Sequence, residues 1–107
     1  MDYAQAREAA DTGMALAEDK ANKERPGWSD DAYRALEKFC LAHEGQRFLA
    51  EDVRAWSEEI GLVEAPRNAK AWGTVMRRAA RYELIRSMGA APAKSSNLSY
   101  KTQWLAV

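Results

Sequence analysis

The chain has a single cysteine, Cys40, in 107 residues, which excludes an intramolecular disulfide and fits a reducing compartment as well as any other. No stretch approaches the roughly 20 apolar residues needed to span a bilayer. The opening residues MDYAQAREAADTGMALAEDK carry acids in the first turns and no apolar run of the signal-peptide kind. These absences predict a soluble, cytoplasmic protein. Gly-rich phosphate loops are also missing. The carboxylate pairs Asp30-Asp31, Glu51-Asp52 and Glu58-Glu59 are sequence neighbours, and neighbours on a helix do not face one another, so they suit helix starts and solvated faces better than general acid-base work. Cys40 and His43 could share a helix side, but two ligands fall short of a zinc site, and no partner is marked out for a thiol nucleophile. The sequence thus predicts neither an enzyme, nor a cofactor, nor a metal centre.

Net charge is absent too, with 16 Lys and Arg against 16 Asp and Glu, but the balance hides a division. Residues 1–66 carry 8 bases against 15 acids, a net of −7, whereas residues 67–107 carry 8 against 1, a net of +7. Such asymmetry within one small domain points to a side that faces a polyanion.

Periodicity predicts four helices. Residues 2–23 are rich in helix formers, and their apolar side, Tyr3, Ala6, Ala10, Met14 and Ala17, is mostly alanine. A stripe this thin adds little to a core, and the helix is expected to pack on the rest of the domain, on a second copy as a homodimer, or on a protein partner. Arg25-Pro26-Gly27 breaks it. Ser29 is the expected N-cap of a second helix through His43, whose Tyr33, Leu36, Phe39 and Cys40 recur at helical steps. Arg47 to Leu49 reads as a short strand and Ala50 to Ile60 as a third helix, with Val53, Trp56 and position Glu59 or Ile60 on its apolar side and Gly61 as a left-handed stop. Asn68 is the expected N-cap of a fourth helix through Tyr82. Leu84 to Met88 and Lys101 to Val107 read as strands, with the small and polar residues 89–100 as the loop between them. Trp28, Trp56, Trp72 and Trp104 each sit beside an apolar stripe or strand, as core anchors do.

On a wheel of 100 degrees per residue, Ala71, Trp72, Val75, Met76, Ala79 and Tyr82 fall in one arc of roughly 140 degrees. Lys70, Thr74, Arg77 and Arg81 form a continuous ridge on the opposite side, with Arg78 at its edge and Gly73 and Ala80 leaving one flank low. An ordinary solvated face would interleave glutamates among these bases; this one has none. Uncompensated cations become favourable where phosphates displace counterions, and arginine, lysine and threonine suit both phosphate oxygens and base edges.

The order helix, short strand, helix, helix, hairpin over residues 29–107 resembles the winged helix-turn-helix, with an extra N-terminal helix in front. The resulting expectation is a mainly α protein with a small C-terminal β-hairpin, residues 1–25 forming an N-terminal helical extension and 26–107 a winged-helix domain. The resemblance implies that residues 68–82 are a recognition helix and 89–100 a wing that meets double-stranded DNA. The candidate DNA-binding residues are then Lys70, Thr74, Arg77, Arg78 and Arg81 with Lys94, Ser95, Ser96 and Lys101. The string AWGTVMRRAARYELIRSMG, followed by a Ser-rich loop and a Trp-bearing strand, also resembles small phage- and prophage-encoded proteins, which implies a regulatory or accessory role in DNA transactions. The other reading is a protein-interaction module of the same shape that does not bind DNA.

Overall fold

A computed structural model describes residues 3–61, 70–93 and 99–107. Four helices, α1 (Tyr3–Glu24), α2 (Trp28–Ala42), α3 (Ala50–Glu59) and α4 (Ala71–Arg81), pack with a three-stranded antiparallel sheet of β1 (Arg47–Phe48), β2 (Ile85–Ala93) and β3 (Ser99–Ala106). The strand order is β1-β3-β2, so the last strand is central.

The core forms where the helical stripes converge. Leu36, Phe39 and Cys40 of α2, Val53 of α3, Trp72, Val75 and Met76 of α4, and Ile85 and Ala106 of the sheet are all buried in one cluster. Trp28 and Trp72 meet edge to face at 5.6 Å, an arrangement worth about 1 kcal/mol beyond the area it buries. Phe39 packs against Phe48 at 4.9 Å and edge-on to Trp56 at 5.5 Å. On α3 the apolar side turns through Val53 and Ser57, both fully buried, while Ile60 lies outside it and is exposed. The Ser57 hydroxyl donates to the Arg54 carbonyl one turn back, so its burial leaves no orphaned group.

Several local expectations are corrected. Ser29 does not cap α2. The helix begins one residue earlier, after Gly27 in a left-handed conformation (φ 80°), and Ser29 is held from α1 instead. Asn22 Oδ1 accepts the Ser29 N–H at 3.0 Å, Asn22 Nδ2 donates to Ser29 Oγ at 2.8 Å, and that hydroxyl donates to Glu18 at 2.9 Å. A helix-start N–H is thereby satisfied by a neighbouring helix rather than locally. At α3, Asp52 accepts the Leu49 N–H at 2.8 Å, the returning half of a capping box. Ala17 and Ala21 of α1 are buried in the common core, so alanine serves there as a close-packing surface.

Tyr82 is 67% exposed and is not part of the buried stripe. α4 stops at Arg81 because Glu83 takes a left-handed conformation (φ 62°), with Glu83 N–H bonded to Ala80 O and Leu84 N–H to Ala79 O, the Schellman pattern. Asn68, the expected cap at the other end, lies outside the described residues. The residue before the helix is Lys70, in right-handed helical geometry and without a side-chain cap bond.

The hairpin is longer than expected. Gly89 to Ala93 belong to β2 and pair with β3 as far as Ala93↔Ser99. Between Ser87↔Trp104 and Ala90↔Thr102 one strand advances by one residue more than the other, and Gly89 (φ 98°) absorbs the bulge. Pro92 is tolerated because β2 is an edge strand, where a missing N–H need not break the ladder.

Candidate nucleic-acid interface

α4 divides as its periodicity requires. Ala71, Trp72, Val75, Met76 and Ala79 are buried, whereas Lys70 and Arg81 are exposed, with Thr74 and Arg77 half-buried between them on the outer side. The low flank at Gly73 is where α1 approaches: a Cβ at Gly73 would collide with the Met14 thioether, so glycine is what lets Met14 sit there. The thin stripe of α1 is thus partly used within the chain, through Met14 and Ala17, with Ala21 buried beyond it.

Arg78 differs from the ridge. Its guanidinium donates to Asp30 at 3.0 Å and lies 4.4 Å from the centre of the Tyr33 ring. The hydrogen bond to Asp30 raises the Arg78 pKa further above its already high ordinary value. Tyr33 is pushed up by burial and then by Glu37, against the opposing pull of the Arg78 charge. Arg78 is therefore turned toward α2, and with Arg81 it also complements the negative end of the α4 dipole.

A groove of about 380 Å³ runs between the start of α3, α4 and the hairpin. Lys70 just before α4, Arg77 from α4, Lys101 from β3 and Arg54 from α3 line it, together with Glu51 and, from α1, Met14. Lys101 is exposed and pairs across the ladder with Ala91. Lys94, Ser95 and Ser96, the other expected wing contacts, lie outside the described residues.

Arg54 and Arg47 were not singled out by the sequence pattern, and Arg86 belongs to the basic run of residues 68–89 without being among the candidate DNA-binding residues. Arg47 and Arg86 are both exposed and both pair with Leu105, one from each side, which sets them on the same face of the sheet. The three strands contain no acid at all. The signal was present as the basic excess of residues 67–107, but strand register was needed to place Arg86 beside Arg47.

The nucleophile and ligand candidates are structural. Cys40 is buried, and burial, with a smaller contribution from Glu37, pushes its thiol up to about 11, far from a reactive thiolate at neutral pH. The His43 ring stacks on Phe39 at 4.0 Å, and its Nδ1 bonds the Phe39 carbonyl at 2.8 Å. Among the described residues no three His, Cys, Asp or Glu are grouped to hold a metal, and no helix is long and apolar enough to cross a membrane. No protein-family model, curated protein or solved structure matches the chain.

Proposed function

We propose that the protein binds double-stranded DNA as a winged helix-turn-helix module, with α4 as the recognition helix and the β2–β3 hairpin as the wing, in a regulatory or accessory role in DNA transactions. One observation carries the reading. The ridge Lys70, Thr74, Arg77 and Arg81 lies on the outer side of a helix that contains no acid, and Lys101 of the hairpin lines the same groove as Lys70 and Arg77. Cations distant in sequence are thereby gathered on one side, where phosphates along a duplex could release counterions to several of them at once. Arginine and threonine on the ridge have the donor geometry for base edges, whereas Lys101 suits the backbone.

A salt-dependent titration with random and genomic duplexes tests this. Arg77→Ala with Arg81→Ala is expected to weaken binding by about 1 to 3 kcal/mol for each residue that reads a base. Lys101→Ala should instead make the slope of log affinity against log salt shallower by about 0.9 without changing sequence preference. Wild-type affinity in the double arginine variant, with its fold verified by circular dichroism, would overturn the proposal.

A further inference from the structure

The central strand of the sheet is covered on one side for only a short stretch. β1 pairs with Leu105 and Trp104, after which the chain turns into α3, whereas β2 stays alongside β3 as far as Ser99. In an antiparallel strand the N–H and C=O of one residue point to the same neighbour, and successive residues alternate between neighbours. The end of β3 fixes which is which. Ala106 donates to the Gln46 carbonyl at 3.1 Å and accepts from the Gly45 N–H at 2.9 Å, on the β1 side, while Val107 N–H donates to Leu84 at 3.3 Å, on the β2 side. Counting back by twos, the backbone groups of Trp104, Thr102 and Tyr100 all point to the β1 side, the last two beyond the end of β1. Pro92 agrees, because it pairs with Tyr100 from β2, and a residue without an N–H fits opposite one whose bonding groups point away. Among the described residues no strand lies along this edge. Thr102 and Tyr100 are exposed, and Thr102 borders the groove that Ala50 and Arg54 of α3 also line, so there is open space between the edge and the start of α3.

We propose that the edge of β3 at residues 100–102 takes up an acidic, extended segment of a protein partner, which adds a strand in line with β1. Main-chain bonds to Thr102 and Tyr100 hold such a strand, and its alternate side chains select it. The acidic character follows from the sheet, whose three strands contain no acid. The added residue opposite Lys101 has its side chain on the Lys101 side, where a carboxylate makes a favourable cross-strand pair and a cation an unfavourable one. A second copy is the poorer occupant, because both of its open edges would set one acid-free strand, bearing Lys101 or Arg86, against another. The edge stands whether or not the chain binds DNA, because its backbone groups play no part in the ridge of α4.

Residue-resolved amide hydrogen exchange on the full chain is the test, with an acetylated, amidated heptapeptide of alternating valine and glutamate as the probe. In the free protein the Thr102 and Tyr100 amides should exchange fast, and the Lys101 amide, turned toward Ala91, slowly. Millimolar peptide should slow Thr102 and Tyr100 by roughly tenfold or more. Lysine in place of glutamate should weaken binding by roughly tenfold, and Lys101→Glu should reverse that preference. N-methylation of the valines, which stand opposite Thr102 and Tyr100 when glutamate faces Lys101, should abolish protection without any change to the protein; if Lys101→Glu does not fold, this peptide decides. Thr102 already protected in the free protein, no protection at millimolar peptide, protection of Ala90 on the outer edge of β2 instead, or protection that survives methylation would overturn the proposal. So would equal affinity for the glutamate and lysine peptides, or protection of these amides by a duplex and not by the peptide, which would give the edge to nucleic acid.

Discussion

Arg78 of α4 is tied to Asp30 of α2 by a 3.0 Å charge-assisted hydrogen bond and rests over Tyr33, three residues further along the same helix than its carboxylate partner. The pair is solvent-exposed, with side chains 42% and 64% accessible, so the ion pair alone contributes little. Together with the cation–π contact, Arg78→Ala is expected to cost about 1 kcal/mol in urea unfolding. Its effect on duplex affinity should be much smaller than that of Arg77→Ala or Arg81→Ala. A loss of affinity equal to theirs would place Arg78 in the interface after all.

Gly73 and Met14 provide a second measurement. Alanine is about 1 kcal/mol better than glycine inside a helix, yet Gly73→Ala should destabilise the protein, because the new methyl meets the Met14 side chain and overpacking costs about 1 to 3 kcal/mol. In a Met14→Ala background the same change should become stabilising. A double-mutant cycle by thermal or urea unfolding reads the coupling directly, and additive effects would mean that α1 does not lie on this flank.

Glu83 carries the left-handed position of a Schellman cap, where glycine has no Cβ penalty. Glu83→Gly should therefore stabilise the protein by about 1 kcal/mol, helped by removing an acid from the negative end of the α4 dipole. A loss of stability would mean that the glutamate makes an interaction worth more than its strain.

Cys40 predicts a pH dependence on the alkaline side. Its folded pKa, about 11, is raised above the ordinary 9.0, so the buried neutral thiol adds stability that is fully present below about pH 9 and is lost as pH rises through 11. The loss is on the order of 2 kcal/mol. Comparing wild type with Cys40→Ala isolates it from tyrosine titration: the variant should show a shallower decline between pH 9 and 11, and iodoacetamide should label the native thiol slowly at pH 8. Parallel declines would contradict this assignment.

Much of the helical architecture was legible because apolar spacing is a direct consequence of burying one side of a 3.6-residue turn; α2 and α4 appear within a few residues of their expected bounds. The ridge was legible for the same reason, since the buried stripe fixes what lies opposite. The hairpin was not. Gly89-Ala90-Ala91-Pro92-Ala93 has the composition of a loop, and it is strand because a glycine bulge and an edge position remove the objections to glycine and proline. Ser29 was misread as a cap because Asn22, its partner, stands on another helix, a relationship that no local pattern encodes. Arg54 joined the groove only once α3 and the hairpin stood side by side.

The order of strands has a consequence for how the molecule folds. Phe48 has its ladder partner in Trp104, and Ile85 has its partner in Ala106, so both edges of the sheet depend on the last strand to form. The contacts between Asn22 and Ser29 close a short loop, whereas β1 finds its neighbour only across about half of the chain. Closure over that separation is the non-local part of folding and should slow it, and only with it does the apolar side of α4 gain Ile85 and Ala106.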